Sequence, residues 1–188
     1  MKHMVKLASG VQVPALGQGT WYLGDSPETY AREVEALRAG IEAGMTLLDT
    51  ADMEELWAVD GGAHCAVNQV LYHMGSRGID YSLLPWMRAH GVALMAYCPL
   101  AQAGRLSCDL LGSSVLKEIA EKYGATPAQI ALAWAMRDGN TIAIPRTGRK
   151  EHAVSNAGAD TLELTAEDCA AIDRAFPPPA RKEPLHIE

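Results

Sequence analysis

The segment ALGQGTWYLGDSPETYAREVEALRAGIEAGMTLLD, residues 15–49, decides the fold. Its opening, Ala15-Leu16-Gly17-Gln18-Gly19-Thr20-Trp21, reads as a strand whose glycines let a ligand or another backbone come close. Ser26 stands as a helix cap, with Pro27 at the first helical position and Glu28 in the first turn. Tyr30, Val34, Leu37 and Ile41 then recur at helical spacing on one apolar face, and Gly44 stops the helix. Thr46-Leu47-Leu48-Asp49 is a short buried strand ending in a carboxylate. Strand, helix, strand in that order predicts parallel β/α architecture.

The same grammar extends in both directions. Upstream, Val5-Lys6-Leu7 and Val11-Gln12-Val13 flank Ala8-Ser9-Gly10, the pattern of a hairpin. Downstream, Met53–Trp57 is a short helical candidate and Ala66–Leu71 a strand. A helix from Leu83 ends at Gly91, and Val92–Tyr97 is a strand stopped by Cys98-Pro99. Leu116, Ile119, Ala120 and Tyr123 mark a helix stopped by Gly124. Thr126-Pro127-Ala128-Gln129 forms a capping box for a helix running to Arg137, and Thr141–Ile144 is a strand ending at Pro145. A helix near Lys150–Asn156 follows, then one capped by Thr165 and reaching Phe176, then an exposed Pro-rich tail. The expectation is about five parallel strands, beginning near residues 15, 46, 66, 92 and 141. An eightfold β/α barrel needs about 250 residues, so 188 are too few for a complete one.

Composition narrows the function classes. A chain 48% apolar and 21% charged describes a globular domain able to bury a core without disulfides. No two of the four cysteines share the spacing of a redox pair or zinc knuckle, so they read as reduced thiols. A net charge of −7 with no basic block disfavours nucleic acid as a partner. Val92–Ala101, the longest apolar stretch, is half a membrane span, and no signal-type segment opens the chain. The expectation is a cytoplasmic protein with neither a nucleic-acid nor a membrane partner.

Parallel β/α folds bind ligands outside the carboxyl ends of their strands. Those ends here are Thr20-Trp21, Asp49-Thr50, Asn68-Gln69, Tyr97-Cys98 and Arg146-Thr147. Each alone is better explained by strand ends facing water, since strand termini are commonly polar. Asp49, directly after two leucines, must be hydrated, hydrogen-bonded or ion-paired. Gly17-Gln18-Gly19 fails the dinucleotide-loop pattern, because position 22 is Tyr22. Arg146-Thr147 with Arg149 and Lys150 reads equally as a phosphate site at a helix start or as a solvated basic turn. His64, His73 and His90 lack the spacing of a metal site. The Met and Trp residues at 74, 86, 87, 95, 134 and 136 read as core.

Taken together, residues 11–21, Leu47-Leu48-Asp49-Thr50-Ala51, Asn68-Gln69-Val70-Leu71-Tyr72-His73, residues 96–102 and Ile144-Pro145-Arg146-Thr147 resemble the bacterial aldo/keto reductases, in the family's order and across nearly all 188 residues. The resemblance is strongest to the methylglyoxal reductase-like branch. It implies a (β/α)8 TIM-barrel fold, here an incomplete barrel with about five parallel strands and an N-terminal hairpin. It also implies one domain over 1–188, and NADPH-dependent reduction of small aldehydes or 2-oxoaldehydes without a metal. By the same resemblance Asp49 is the tetrad aspartate, Gln69 the amide holding the nicotinamide carboxamide, and Tyr97 the ring stacked beneath the nicotinamide. Arg146, Thr147, His152 and Asn156 stand where the family binds the adenosine 2′-phosphate and adenine. Thr20 and Trp21 join the cofactor-binding set. His152 replaces an Arg common in the family.

The departures from the family pattern are as informative. The family's proton-donating Tyr stands five residues after the aspartate, where this chain has Glu54. The segments carrying the tetrad Lys and His, and a Ser-Asn pair, have no counterparts, as if strands three to five had been removed near residues 51–52. Losing a general acid costs about 10²–10⁴ in rate, and losing the stabiliser of the developing oxyanion a comparable factor. Three readings follow: a reductase with impaired activity, a non-catalytic NADP(H)-binding or assembly module, or an inactive deletion product. Tyr72, Tyr97 and His73 are the residues placed to substitute for the lost donor. An open barrel also presents strand edges, so a homo-oligomer covering them is expected.

Overall fold

A computed structural model describes residues 2–7, 10–19, 27–45, 48–49, 67–101 and 109–182. The hairpin forms as expected: β1 (Met4–Lys6) and β2 (Gln12–Pro14) pair antiparallel with Val5 opposite Val13. Gly10, at φ +87°, turns the chain where a side chain would be strained. Val5 is fully buried, so the hairpin belongs to the core.

Among the described residues five parallel strands follow: β3 (Gln18–Gly19), β4 (Leu48–Asp49), β5 (Val67–Leu71), β6 (Ala93–Tyr97) and β7 (Thr141–Ile144). β3 pairs with β4, β5 with β6, and β6 with β7, all parallel. Parallel bridges from Leu16 to Ala143 and from Gly19 to Arg146 join β3 to β7. There the Gly17 N–H donates to the Ala143 carbonyl at 2.9 Å, and the Ala143 N–H donates to Ala15 at 2.8 Å. The order is therefore β4-β3-β7-β6-β5, one continuous arc.

The fold is that of an incomplete barrel. Its two outer strands, β4 and β5, are consecutive among the described strands. The residue count between them would allow β4 and β5 to pair side by side, but among the described residues β4 pairs with β3 and β5 with β6. In a barrel the first strand neighbours the last, so the β3–β7 junction takes up the inner edges and leaves β4 and β5 at opposite ends.

The helices are α1 (Pro27–Glu42), α2 (Leu83–Ala89), α3 (Ser114–Tyr123), α4 (Pro127–Met136), α5 (Lys150–Ala157) and α6 (Ala166–Ala175). Gly44, Gly91, Gly124 and Gly139 all have positive φ and stop the elements before them. Both capping boxes close: Thr126 with Gln129 opens α4, and Thr165 with Asp168 opens α6. In α4 every residue from Ile130 to Met136 is buried, as expected of a helix that is apolar on all sides. The proposed helix at Met53–Trp57 and the junction near 51–52 lie outside the described residues.

Two expectations about burial are corrected. The inner face of α1 is Glu33, Ala36, Ala39 and Gly40, whereas Ile41 is 41% exposed and Val34 and Leu37 are half-buried. Small residues win that face because the helix sits tightly on β3. A Cβ on Gly40 would lie 2.0 Å from Gln18 Oε1. Trp86 is not core: it is 53% exposed and stacks on His90, one turn away, at 4.2 Å between ring centroids. The other Met and Trp positions singled out, 74, 87, 95, 134 and 136, are buried.

Candidate functional site

Strand alternation and register place the candidate residues. Gln18 faces the helices, donating its amide to Leu37 O at 3.1 Å and Met45 O at 3.2 Å. Gly19 therefore takes the opposite, inner face, and it is in register with Asp49 on one side and Arg146 on the other. Two residues below Arg146, Ile144 is paired with Tyr97, and Tyr97 with Leu71. Gln69, two residues before Leu71, shares that face. Its neighbour Asn68 turns outward and donates to Met87 Sδ on α2 at 3.9 Å.

The inner face at the carboxyl ends thus gathers the positions of Asp49, Arg146, Tyr97 and Gln69 over four strand boundaries. Gly19 is what lets β3 and β7 approach there, because a Cβ would stand 3.0 Å from Ile144 O. Thr20 and Trp21 lie outside the described residues, and Asp49 is described through its backbone alone.

Beyond β7 the chain turns directly into α5. The Arg149 N–H donates to Thr147 Oγ1 at 3.1 Å, so Thr147 shapes the turn that starts the helix. Arg146 is exposed, Thr147 half-buried and His152 exposed, while Asn156, one turn beyond His152, is only 6% exposed. Lys150 is directed elsewhere: its ammonium binds Glu35 Oε1 on α1 at 3.0 Å. Of the basic turn read from the sequence, Arg146 and Thr147 adjoin the strand ends, while Lys150 ties α5 to α1.

Two of the substitute donors are displaced from the inner face. Tyr72 is buried against the helix layer, its ring stacked on Trp134 of α4 at 5.4 Å. Arg137 donates to its hydroxyl at 3.3 Å. Burial pushes the Tyr72 phenol far above its usual range; Arg137 offsets part of that push and Asp80 adds to it. Such a phenol is a poor acid facing the wrong side of the sheet. His73 is buried in a tight turn, where its Nδ1 accepts from the Gly75 N–H at 3.1 Å. Of the three residues, Tyr97 alone holds an inner-face position.

One feature carries no local sequence signal. Cys98 and Ala101, directly after β6, have φ of +47° and +61°. Among the described residues they are the non-glycine positions with positive φ, and Cys98-Pro99-Leu100-Ala101 contains no glycine to announce it.

The arc defines a barrel-type α/β protein, with the candidate site at the carboxyl ends of its inner face. The sequence model of the aldo/keto reductase family matches residues 52–176. The chain belongs to the aldo/keto reductase family. It is 32% identical to methylglyoxal reductase YeaE of Escherichia coli (strain K12), over 281 aligned positions that take in 99% of each chain. Since the chain has 188 residues, at least 93 of the 281 aligned positions have no residue here. Methylglyoxal reductase DkgB of Salmonella typhi is 35% identical over 141 residues, 74% of this chain and 50% of that protein. Against that relative the match spans about half its length. Among solved structures, an aldo-keto reductase from Klebsiella pneumoniae in complex with NADPH superposes with a TM-score of 0.89 at 32% identity, covering 100% of both chains. MGS-M4, an aldo-keto reductase from a deep-sea metagenome library, shares the fold at a TM-score of 0.73 and 18% identity.

Proposed function

We propose that this chain binds NADP(H) at the carboxyl ends of its strands and has lost most of the carbonyl reduction its relatives are named for. What carries this reading is the register that brings Gln69, Tyr97 and Arg146 to one inner face, followed at once by the Thr147 turn. An aromatic ring, a primary amide, an exposed guanidinium and a hydroxyl-shaped helix start are the donor set a phosphorylated dinucleotide needs. Gln69 would hold the carboxamide and Tyr97 would lie under the nicotinamide. Arg146 and Thr147 would take the 2′-phosphate, with His152 and Asn156 towards the adenine. When bound, the cofactor supplies a hydride to the carbonyl carbon of a small aldehyde or 2-oxoaldehyde while the carbonyl oxygen takes a proton.

The proton side of that reaction is where the chain falls short. The family's Tyr position is occupied by Glu54, and the segments carrying the Lys and His are without counterparts, in keeping with the 93 or more unmatched positions. Tyr72 cannot replace the donor from the helix layer. We place the removed segment near residues 51–52, a point that intact mass and the coding sequence across Ala51-Asp52 would test.

The functional test is a titration with NADPH followed by an assay with methylglyoxal. Saturable binding is expected, with turnover lower by a factor of at least about 10⁴ than in a complete relative. Turnover matching the relative would overturn the impaired reading, and absence of binding would overturn the cofactor reading.

A further inference from the structure

We infer that Glu33 is a positioning residue for the nucleotide 2′-phosphate: from α1 its buried side chain backs the Thr147-Gly148 turn and sets where Arg146 and the Thr147 hydroxyl meet the phosphate. This rests on the proposed cofactor reading and adds to it a residue on a helix that supplies none of the proposed contacts.

An acidic side chain on an outer helix ordinarily faces water, as Glu28, Glu35 and Glu42 of α1 do. Glu33 is only 7% exposed. What it lies against is the turn after β7. A Cβ on Gly148 would stand 3.2 Å from Glu33 Cγ and 3.6 Å from its Oε1, with Arg32 Nη2 at 3.9 Å. Gly148 is not among the glycines with positive φ, so its backbone conformation does not call for glycine. Its missing side chain serves the close approach of Glu33.

The rest of α1 makes that wall firm. Gly40 lies about 10 Å further along the helix and on the same face as Glu33. There Gln18 of β3 donates to Leu37 O at 3.1 Å and to Met45 O at 3.2 Å, and a Cβ on Gly40 would meet Gln18 Oε1. β3 in turn adjoins β7 through the Leu16–Ala143 and Gly19–Arg146 bridges. One end of this helix face is thus seated on β3, and the other on the turn that leaves its neighbour β7. The Lys150–Glu35 pair joins the same helix to α5, but both side chains are exposed and the pair contributes little. Thr147 Oγ1 closes the turn by accepting from the Arg149 N–H at 3.1 Å. A closed turn held from behind by Glu33 presents Arg146 and Thr147 at a fixed spacing.

The test compares affinity for NADPH with affinity for NADH, which lacks the 2′-phosphate, by calorimetric titration with thermal melts alongside. Glu33→Ala opens space behind the turn, so NADPH should bind about three- to tenfold more weakly while NADH changes by less than about twofold, the effect of ordering a loosened turn on the phosphate alone. Glu33→Gln, of the same length and volume, should keep the NADPH-to-NADH ratio of the unsubstituted chain. Gly148→Ala presses a methyl group on Glu33 Cγ and should weaken NADPH to a similar extent. In a Glu33→Ala background that methyl group has room, and its effect should vanish. Equal losses for both cofactors, a Glu33→Gln effect as large as that of Glu33→Ala, or additive effects at positions 33 and 148 would each overturn the inference. Should Glu33→Ala lose its cooperative melt, Glu33→Asp, shorter by one methylene, takes its place with the same expected readings. An unsubstituted chain that binds neither cofactor, or both equally, brings down the cofactor reading and this inference with it. A preference for NADPH that these variants leave unmoved sinks this inference alone.

Discussion

Replacing Asp168 by Asn removes one charge from a junction that ties α3 to α6. The Asp168 carboxylate accepts from Lys122 Nζ at 2.8 and 2.9 Å, from the Tyr123 hydroxyl at 2.6 Å, and from the Thr165 N–H at 3.1 Å. Burial alone would raise its pKa, but the Lys122 ammonium, the Tyr123 hydroxyl and the Thr165 groups outweigh that and hold it well below the usual carboxylate range. A hydrogen bond to a charged group contributes about 1.5–3 kcal/mol, against about 1 kcal/mol for a neutral pair. Losing the charge on the Tyr123 and Thr165 bonds therefore costs about 2 kcal/mol. Lys122 adds little to this, because its side chain is 51% exposed and screened. For a chain of this length that is a fall of about 4–8 °C in melting temperature at pH 7.

The pH dependence has a definite sign. A depressed carboxyl pKa stabilises the fold above the unfolded-state value of about 3.9, and the contribution is lost as pH falls towards the folded-state value. Thermal melts followed by circular dichroism from pH 7 downwards should show the wild type ahead by a constant margin to about pH 5. The margin should narrow below about pH 4. A margin under about 1 °C at pH 7, or one that widens on acidification, would refute the reasoning.

Two further outcomes follow from packing. Gly40→Ala places a methyl group 2.0 Å from the Gln18 amide, which already bridges Leu37 and Met45, so the variant should lose about 1–3 kcal/mol in urea unfolding. Unchanged stability would mean that α1 sits farther from β3 than described. Tyr72→Phe removes a buried hydroxyl that Arg137 bonds at 3.3 Å, and should cost about 1 kcal/mol while leaving NADPH affinity unaltered. A change in NADPH affinity without loss of stability would return Tyr72 to the cofactor side of the sheet.

The sequence announced what local chemistry decides. Thr126-Pro127-Ala128-Gln129 could cap a helix in only one way, and the glycines at 44, 91, 124 and 139 stop elements because the backbone there needs positive φ. Strand positions were equally plain, since apolar runs ending in polar residues repeat five times. The candidate site residues were legible through the family's ordered motifs, and register sets Gln69, Tyr97 and Arg146 on a common face. What stayed hidden was decided between elements. The buried face of α1 passes through Glu33 and Gly40 because a glutamine on β3 reaches into it, a contact no helical periodicity records. Tyr72 falls on the helix side by alternation from Asn68, and its pull towards Trp134 depends on a partner 62 positions away. The strained turn at Cys98 is imposed by neighbours rather than chosen by its own residues.

The order of the arc has a practical corollary for anyone altering this scaffold. Its first and last staves, β4 and β5, follow one another along the polypeptide, while every other neighbouring pair is locked by ladders already complete. Lengthening or shortening the chain between them leaves those ladders untouched, so among the described residues this is a seam at which whole β/α units can be spliced in or out.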